Sequence, residues 1–328
     1  MKKTKFLIIR LSSIGDIVLT SPLIRCLKEQ VEHAEIHFVT KSKYGELLIA
    51  NPNIDKIHFL NQDISQLLQE LKNEKFDYIV DLHRNFRSFR IKQHLQVPAF
   101  SFNKLNILKW LRVRLRIDLL PQQHVVDRYF QTVKYLHVFP DAKGLEYFIP
   151  EDHPYDFSSL PELFRPGYIA FIIGGTYLTK RLPVDKVIEI CKNIDLPVVL
   201  IGGKQEIPES DLIIQNGGPH ILNLTGKTTV NESASLVKNA NIVLTNDTGM
   251  MHIAAAFNKK ILSFWGNTIP KLGMAPYRPH LSSRILQVEG LACRPCSKLG
   301  YQKCPKQHFR CMNDIDVREA VNWIQENF

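Results

Sequence analysis

A turn of small and polar residues follows the first apolar run of the chain and reads RLSSIGDIVLTSP at residues 10–22. The apolar run, residues 6–9, is typical of a short buried strand, and residues 17–28 are typical of a helix. Ligands of α/β proteins bind at the carboxyl ends of strands, where such turns lie. Asp16 is therefore a candidate ligand-contacting acid, although an acid in the first turn of a helix can also be purely stabilising.

The second half of the chain repeats this sequence of apolar run, glycine or hydroxyl residue and helix start. Residues 171–183 carry two glycines whose backbone N–H groups could approach a phosphate, and two cations that could supply charge. These residues are Gly174, Gly175, Lys180 and Arg181. An ordinary strand–turn–helix with a surface Lys-Arg pair would give the same pattern. Residues 199–206 form a third turn of this kind, which is a weak signal by itself.

The turn in residues 241–257, NIVLTNDTGMMHIAAAF, is more specific. An apolar strand runs into a polar turn, and a strong helix former follows. Asp247 or Thr248 suits the N-cap position, and the N–H groups of the helix start could hold a diphosphate. His252, one turn into the helix, is by default a packed histidine. Residues 263–270 end another strand in the same way. The recurrence of such turns is stronger evidence for a ligand site than any single turn.

One segment of the chain concentrates much of its positive charge. The formal net charge is +10, and residues 84–116 contain nine Lys or Arg and no acid, with aromatic residues between them. Such a run is usually a solvated helical face. It would also suit an anionic membrane surface or a phosphorylated substrate. A nucleic acid is the least favoured partner, because no nucleic-acid-binding module accompanies the run.

Chain length and hydropathy limit the class of protein. At 328 residues the chain is long enough for two domains. The N-terminal apolar stretch is too short for a signal peptide, and no stretch approaches the ~20 apolar residues that span a bilayer. We therefore expect a cytoplasmic protein. The Gly-x-Gly-x-x-Gly fingerprint is absent after the apolar runs, which argues against a nicotinamide-dependent dehydrogenase.

Nine strand-like runs alternate with helical segments, which predicts parallel sheets covered by helices. The polar and Pro-rich residues 150–167 are typical of a linker. We expect an α/β protein with two Rossmann-like domains facing across a cleft, residues 1–155 and residues 156–312. Residues 313–328 are expected to form an amphipathic helix that could pack back on the first domain.

The six cysteines fall into two groups. Cys26 and Cys191 lie in helical patterns and are most simply small core residues. The other four lie within 19 residues, as Cys293, Cys296, Cys304 and Cys311. A C-x2-C opening followed by two more cysteines is similar to a small structural zinc loop, although the spacing matches no standard finger. Free, partly buried thiols are the favoured alternative, because a cytoplasmic protein is not expected to keep disulfides.

Taken together, these segments resemble the bacterial ADP-heptose:lipopolysaccharide heptosyltransferases, which are inverting enzymes of glycosyltransferase family 9. The resembling segments are RLSSIGDIVLTSP, DLHRNFRS at 81–88, HVVDRY at 124–129, GGTYLTKRLP at 174–183, and TNDTGMMHIAAA at 245–256 with the following SFWGNTIP. The resemblance implies a GT-B architecture. It also implies transfer of heptose from ADP-heptose to the lipid-linked inner core of lipopolysaccharide, without a catalytic metal or other cofactor.

The resemblance further implies roles for single residues. Asp16 matches the proposed general base, and Lys180 matches a lysine that neutralises charge on the departing diphosphate. The implied nucleotide-sugar-binding residues are Ser13, Gly15, Gly174, Gly175, Thr176, Thr179, Gly202, Gly203, Glu206, Asn246, Asp247, Thr248, Gly249 and His252. The implied acceptor-binding residues are Ser12, Arg84, Arg87, Arg90 and Arg128.

The implied partners are a nucleotide-sugar donor and a lipid A–Kdo-type acceptor. A monomeric enzyme would then work on the cytoplasmic face of the inner membrane, held there by the basic segment. The chain departs from the family where Asn267 replaces a common Pro and Leu182 a common Trp. These departures leave open a different sugar or core position. Two further alternatives are a nucleotide-sugar epimerase of the same fold and a non-catalytic protein that binds anionic glycans or membrane surfaces.

Overall fold

The chain folds into two compact units, each built on its own sheet. The computed structural model describes residues 3–61, 63–152 and 154–328. The first unit comprises the chain up to Leu105 together with Gln123–Pro150. The second comprises Asn106–Gln122 together with Glu151–Phe328. Both sheets are parallel and are flanked by helices, which confirms the predicted α/β class.

The first sheet has five parallel strands in the order β3-β2-β1-β4-β5. These are β1 (Thr4–Ile9), β2 (Ala34–Thr40), β3 (Lys56–Phe59), β4 (Tyr78–Asp81) and β5 (Ala99–Ser101). The central strand β1 is fully buried from Phe6 to Ile9, because a strand covered on both faces must be apolar throughout. Its carboxyl end lies beside that of β4, where Ile9 pairs with Asp81.

The helices of the first unit follow the strands closely. They are α1 (Ile14–Val18), α2 (Ser21–Gln30), α3 (Ile64–Glu74), α4 (Phe86–Leu95) and α6 (Val125–Phe130). The sequence predicted one helix over residues 17–28, but the structure divides it into α1 and α2. Pro22 stands in the first turn of α2. A proline cannot donate to the carbonyl four residues earlier and its ring clashes with that carbonyl, so the first helix ends before it.

The second sheet has six parallel strands in the order β11-β10-β9-β6-β7-β8. They are β6 (Ile169–Ile172), β7 (Val198–Ile201), β8 (Ile221–Asn223), β9 (Ile242–Asn246), β10 (Lys260–Trp265) and β11 (Arg284–Gln287). The helices around it are α7 (Val184–Lys192), α8 (Ile207–Gly217), α9 (Val230–Asn239), α10 (Gly249–Ala256), α11 (Arg310–Asn313) and α12 (Val317–Asn327). Within the described residues, no helix has both the length and the apolar character needed to cross a membrane.

Two strands were not predicted, and both lie at sheet edges. Strands β5 and β11 have three and four residues. In β5 no residue is buried, and in β11 only Leu286 is. Because an edge strand keeps one side open to solvent, it lacks the continuous apolar run that marks a central parallel strand.

The terminal helix packs differently from the expectation. Val317, Ala320, Trp323 and Ile324 of α12 are buried in the core of the second unit. The indole N–H of Trp323 donates to the carbonyl of Ser282 at 2.8 Å. The predicted apolar stripe is present, but β10 and α7 of its own unit offer it a core to complete.

A segment expected in the first domain also belongs to the second unit. Asn106–Gln122 forms α5 (Asn106–Trp110) and a π-helical turn, Leu111–Leu115. Arg116 donates from Nη1 to the carbonyl of Pro295 at 2.6 Å, and Lys271 pairs with Asp118 at 2.8 Å. These contacts join two parts of the chain that are remote in sequence, so hydropathy alone could not predict them.

A buried arginine ties the end of the first unit to α2. The Arg25 side chain is almost fully buried, and it contacts Asp141 through Nε at 2.6 Å and Nη2 at 2.9 Å. It also reaches Glu146 at 3.0 Å and the carbonyl of Gly144 at 2.9 Å. The hydrogen bonds from Arg25 lower the pKa of Asp141 to about 2.

We expect Asp141→Asn to lower the free energy of unfolding at pH 7 by about 2 kcal/mol. The pKa of Asp141 is depressed on folding, so the stabilisation is complete above about pH 4 and is lost as the pH falls toward 2. Urea unfolding at pH 7 and pH 3 would measure this. Glu29→Gln, which removes an exposed pair with Lys143, is the control and should change stability by less than about 0.5 kcal/mol. An equal loss in both variants would contradict the prediction.

Candidate active site

Asp16 lies in α1, just after β1, and its carboxylate is held from two sides. Oδ1 lies 2.7 Å from Nη2 of Arg10. Oδ2 accepts hydrogen bonds from the hydroxyl of Ser13 at 2.9 Å and from its backbone N–H at 3.3 Å. Asp16 therefore serves the helix start, as an ordinary first-turn acid would, and also pairs with a buried cation. The side chain remains 23% exposed, so a ligand can reach it.

The electrostatic surroundings keep this carboxylate ionised. Burial alone would raise the pKa of Asp16. The positive charge of Arg10 and the hydrogen bonds from Ser13 and Arg10 outweigh burial and hold the pKa below its ordinary value. At neutral pH the group is a carboxylate that can accept a proton.

Arg10 is a site residue to which the sequence reasoning assigned no role. It is 8% exposed, and its Nε donates to the carbonyl of Ser12 at 2.8 Å. Nη1 donates to the carbonyl of Leu82, directly after β4. The guanidinium thus fixes the turn after β1 against the turn after β4. The sequence signal that could have identified Arg10 is its position: a charged residue immediately after a buried strand, in a turn of the kind that binds ligands.

His83 is a second residue that the sequence reasoning missed. It follows β4, and its ring Nδ1 is buried without a hydrogen-bond partner among the described residues. Burial and the positive charge of Arg10 lower the pKa of His83 to about 4, while Asp16 acts weakly in the opposite direction. The imidazole is therefore neutral at pH 7, and its buried nitrogen is available to a ligand.

The predicted acceptor-binding arginines do not share one environment. Arg84, Arg87 and Arg90 are exposed, whereas Arg128 is 3% exposed and donates from Nη1 to the carbonyl of Asn103 at 3.3 Å. Ser12 is half-buried in the turn before α1. Because Arg128 is buried, its side chain supports the loop after β5 and does not face solvent.

Arg87 and Arg90 line an open cavity of about 750 Å³ in the first unit. Its other lining residues are Lys41, Ser42, Lys43, Leu60, Asn61, Ile64 and Phe86. Four of the nine are cations and none is an acid, so the cavity suits an anionic ligand. The turn that contributes Ser42 packs against α1, the helix that carries Asp16. Lys41 and Lys43 were not predicted, because their place in the cavity depends on tertiary contacts.

In the second unit, Lys180 and Asp247 form a close ion pair. Lys180 Nζ lies 2.6 Å from Oδ2 of Asp247. The hydroxyl of Thr268 donates to the same oxygen at 2.8 Å. Asp247 is buried, whereas Lys180 keeps partial exposure. The carboxylate is occupied by these two donors, and the structure gives the N-cap of α10 to Thr248 instead.

The start of α10 is open to a ligand. No hydrogen bond from the Thr248 side chain caps the helix, and Thr248 and Gly249 are half-buried. The first-turn N–H groups of a helix carry partial positive charge and lack intrahelical partners. A Cβ on Gly175 would lie 3.5 Å from Cγ2 of Thr248, so the two glycine-containing turns approach each other closely. This edge of the sheet can therefore hold a phosphate.

Glu206 organises the neighbouring turns. It is buried, pairs with Arg181 at 2.5 Å and accepts the N–H of Gly203 at 2.8 Å. Arg181 also donates to the carbonyl of Gly175 at 2.6 Å. A Cβ on Gly174 or Gly203 would lie 3.2 Å from Oε2 of Glu206, so these glycines leave room for the carboxylate.

Several other predicted nucleotide-sugar residues make contacts that hold the site together. The amide of Asn246 accepts from the N–H of Leu182 at 2.9 Å and donates to the carbonyl of Ile173 at 3.0 Å. Thr179 is buried and accepts from the N–H of Tyr301 at 2.8 Å. In the second unit, His252 is buried within α10, Gly202 is half-buried and Thr176 is exposed. In the first unit, at the start of α1, Gly15 is buried and Ser13 is exposed.

Asn267, where the chain departs from the family pattern, has an unusual environment. It is 1% exposed, and neither side-chain Oδ1 nor Nδ2 has a hydrogen-bond partner among the described residues. It directly precedes Thr268, the donor to Asp247. A buried amide of this kind needs a partner, which a ligand or a water molecule can supply.

The four-cysteine segment does not form a compact ligand set in the described structure. Cys293, Cys296 and Cys304 are half-buried and Cys311 is buried, all as free thiols. Cys293 Sγ lies 3.8 Å from Nε2 of His308. Burial raises the pKa of Cys296, and it raises the pKa of Cys311 to about 12, so these thiols stay protonated. These four sulfur atoms are not among the ligand groups that converge within the described residues, so the zinc loop stays a prediction.

The known proteins that this chain resembles are heptosyltransferases. The family model of glycosyltransferase family 9 (heptosyltransferase) matches residues 64–302. A lipopolysaccharide heptosyltransferase 1 from Campylobacter coli is 24% identical over 353 residues, covering 99% of each chain.

Two solved structures share the fold. The glycosyl transferase family 9 protein of Veillonella parvula has a TM-score of 0.80 at 20% identity, over 99% of this chain and 98% of that one. The ADP-heptose lps heptosyltransferase II of E. coli has a TM-score of 0.76 at 19% identity, over 98% of each chain. The two parallel sheets therefore match structures of the GT-B heptosyltransferases.

We expect the imidazole of His83 to remain neutral down to about pH 4, and Arg10→Gln to raise its pKa, because a nearby cation opposes protonation. Imidazole 1H–13C correlation spectra from pH 3 to pH 8 would measure both values, with His83→Gln identifying the signals. Arg165→Gln, in the second unit, should leave the pKa of His83 unchanged. A wild-type pKa near 6.5 would overturn this description of the site.

Proposed function

The chain belongs to glycosyltransferase family 9, the heptosyltransferase family, and we propose that it transfers heptose from ADP-heptose to a lipid-linked Kdo/heptose acceptor of the lipopolysaccharide inner core. The transfer inverts the configuration of the anomeric carbon. The observation that carries the proposal is the ionised, partly exposed Asp16 carboxylate, which Arg10 and Ser13 hold on a helix that packs against a turn lining the cationic cavity.

We assign the general base to Asp16. As the acceptor oxygen attacks the anomeric carbon, its O–H becomes acidic and the proton passes to the carboxylate. The bond from the anomeric carbon to ADP breaks, and the diphosphate leaves with that electron pair. The lowered pKa makes Asp16 a weak base, so proton transfer fits late in the attack, and the proton then escapes to solvent.

We assign the departing diphosphate to Lys180 and the start of α10. Lys180 is a partly exposed cation that Asp247 holds at 2.6 Å, so its position is set before the donor arrives. The N–H groups at Thr248 and Gly249 add partial positive charge. In this assignment these groups neutralise the negative charge on the departing diphosphate, and no metal ion takes part. Asn267 offers a buried amide to the donor from the adjacent turn.

The cationic cavity suits the acceptor. Lys41, Lys43, Arg87 and Arg90 could meet the phosphates and carboxylates of a lipid-linked saccharide. Its wall includes apolar side chains as well, from Leu60, Ile64 and Phe86, which would contact sugar rings or lipid.

We also propose that the protein binds peripherally to the cytoplasmic face of the inner membrane through residues 106–119. No residue of α5 or of the turn after it is buried. Five large apolar side chains in this segment are at least 45% exposed: Ile107, Trp110, Leu115, Ile117 and Leu119. Arg112 and Arg114 lie among them, so the segment combines apolar insertion with attraction to anionic lipids.

The first test is acceptor-dependent ADP release from ADP-heptose with a lipid A–Kdo-type acceptor. Asp16→Asn should reduce turnover about 100-fold or more and leave ADP binding intact, because it removes the base but leaves Lys180 and the start of α10 unchanged. Lys180→Gln should instead weaken ADP binding by about 10-fold or more. Both effects would be measured by coupled ADP assay and calorimetry.

An exposed acid and a half-buried lysine provide matched controls for these variants. Asp63→Asn and Lys186→Gln remove an acid and a lysine that make local surface contacts, and both should keep wild-type rates. ADP binding without release from ADP-heptose would point to another nucleotide sugar. Full turnover in Asp16→Asn would refute the assignment of the base, and absence of nucleotide binding would favour a non-catalytic binding protein.

The membrane contact has its own test, in sedimentation with phosphatidylcholine vesicles that either lack or contain about 30% phosphatidylglycerol. The wild-type protein should sediment with the anionic vesicles, and the double variant Ile107→Ser/Trp110→Ser should lose most of that binding, because both side chains are more than half exposed. Leu281→Ser, a change at an even more exposed apolar residue elsewhere, should bind as wild type does. Equal binding by all three proteins would contradict the assignment.

A further inference from the structure

A group of polar side chains lies on one face of the first sheet, where an apolar covering would be expected. His37 is in the middle of β2, and His58 lies in the adjacent strand β3, opposite Val39. Because side chains alternate along a strand, the two histidines point to the same face. Both are almost fully buried, at 2% and 1% exposure. None of the roles proposed above uses them.

The ring nitrogens of the two histidines face each other. His37 Nδ1 lies 2.9 Å from His58 Nε2. A carboxylate oxygen of Glu74, at the end of α3, lies 3.9 Å from the same His37 nitrogen. One ligand atom from each of these three residues falls within 4.8 Å of the others. Among the described residues, it is the one group of three or more histidine, cysteine and acidic side chains whose ligand atoms lie this close together.

Each histidine is also held by a carboxylate on its far side. His37 Nε2 lies 3.0 Å from Glu35, and His58 Nδ1 lies 2.5 Å from Glu70. A carboxylate accepts hydrogen bonds, so these outer nitrogens carry the protons. The inner nitrogens, 2.9 Å apart, are at hydrogen-bond distance and hold at most one proton between them. A metal ion can replace that proton.

This arrangement is the one that metal sites use. A ligating histidine usually donates its other N–H to a carboxylate, which fixes the ring and makes it a better ligand. Here both histidines have such a partner, and a third ligand is at hand. Tetrahedral zinc with Zn–N distances of about 2.0–2.1 Å needs its nitrogens about 3.3 Å apart. The inner nitrogens would have to separate by only about 0.4 Å.

The neighbouring lysines set the condition for binding. Lys5 contacts Glu35 at 3.0 Å and Glu74 at 3.3 Å, and Lys56 contacts Glu74 at 2.5 Å. Both lysines are partly exposed, so their ammonium groups can turn into solvent when a divalent cation takes their place. Any proton shared by the two inner nitrogens is released to solvent at the same time.

We propose that His37, His58 and Glu74 bind one Zn2+ ion, with water as the fourth ligand. Two imidazole nitrogens and one carboxylate oxygen form a ligand set that suits zinc. The ion would join β2, β3 and α3, three elements contributed by separate parts of the chain. Its role is then to stabilise the first unit, apart from the chemistry at Asp16.

The test uses the full chain, purified without chelator and with any affinity tag removed. Elemental analysis should find about one zinc per chain, or the apoprotein should take up one equivalent of added Zn2+. Added Zn2+ should raise the thermal unfolding temperature of the wild type by several degrees, because binding stabilises only the folded state. Co2+ in place of zinc should give the visible absorption of a tetrahedral site.

Two variants and one control complete the experiment. His37→Gln and Glu74→Gln should lose the stoichiometric metal and the thermal shift. Glu74→Gln still tests the proposal if replacement of the buried histidine prevents folding. His33→Gln changes a more exposed histidine that contacts Glu32 and should behave as wild type. Absence of metal uptake by the wild type, or an equal thermal shift in Glu74→Gln, would overturn the proposal and leave the histidines sharing only a proton.

Discussion

The first unit depends on the burial of one charge, the Arg10 guanidinium, at the joint ends of β1 and β4. A buried cation must be paired and hydrogen-bonded, since an uncompensated charge in the interior is strongly destabilising. Arg10 meets that requirement through Asp16 and the carbonyls of Ser12 and Leu82. The same contacts fix the turn and orient the Asp16 carboxylate. The ion pair therefore connects the stability of the fold with the availability of a base.

The second unit uses the same principle with the signs exchanged. There the buried group is the Asp247 carboxylate, and its partners are Lys180 and Thr268. The pairing keeps Lys180 in place while leaving it accessible, beside the uncapped start of α10. In both units a buried charge holds a more exposed one at the carboxyl edge of a parallel sheet. Preorganised charge of this kind needs little rearrangement when a substrate binds.

Two other regions depart from the rule that polar residues lie outside and apolar residues inside. His37 and His58 are polar but buried on a sheet face, within a set of carboxylates and lysines. Ile107 and Trp110 are apolar but exposed, on a segment without a buried residue. Such departures cost stability unless a ligand, an ion or a surface compensates for them. They are therefore the places where this structure implies partners.

The sequence alone determined the class of fold and the turns that carry the site. Central parallel strands are buried on both faces, so β1, β6 and β9 appear as continuous apolar runs, and the turn after each is marked by small or hydroxyl residues. The short edge strands β5 and β11 escaped prediction, because half-exposed strands lack that run. The motifs that resemble the heptosyltransferases also drew attention to Asp16 and Lys180.

Tertiary structure alone decided what those residues contact. The approach of Arg10 to Leu82, of Lys180 to Asp247 and of His37 to His58 depends on strand order, which joins positions 21 to 72 residues apart. It also decided that α12 completes the core of the second unit, and that residues 106–122 belong there. Periodicity is a local property of the chain, whereas the pairing of buried charges is set by the packing of distant segments.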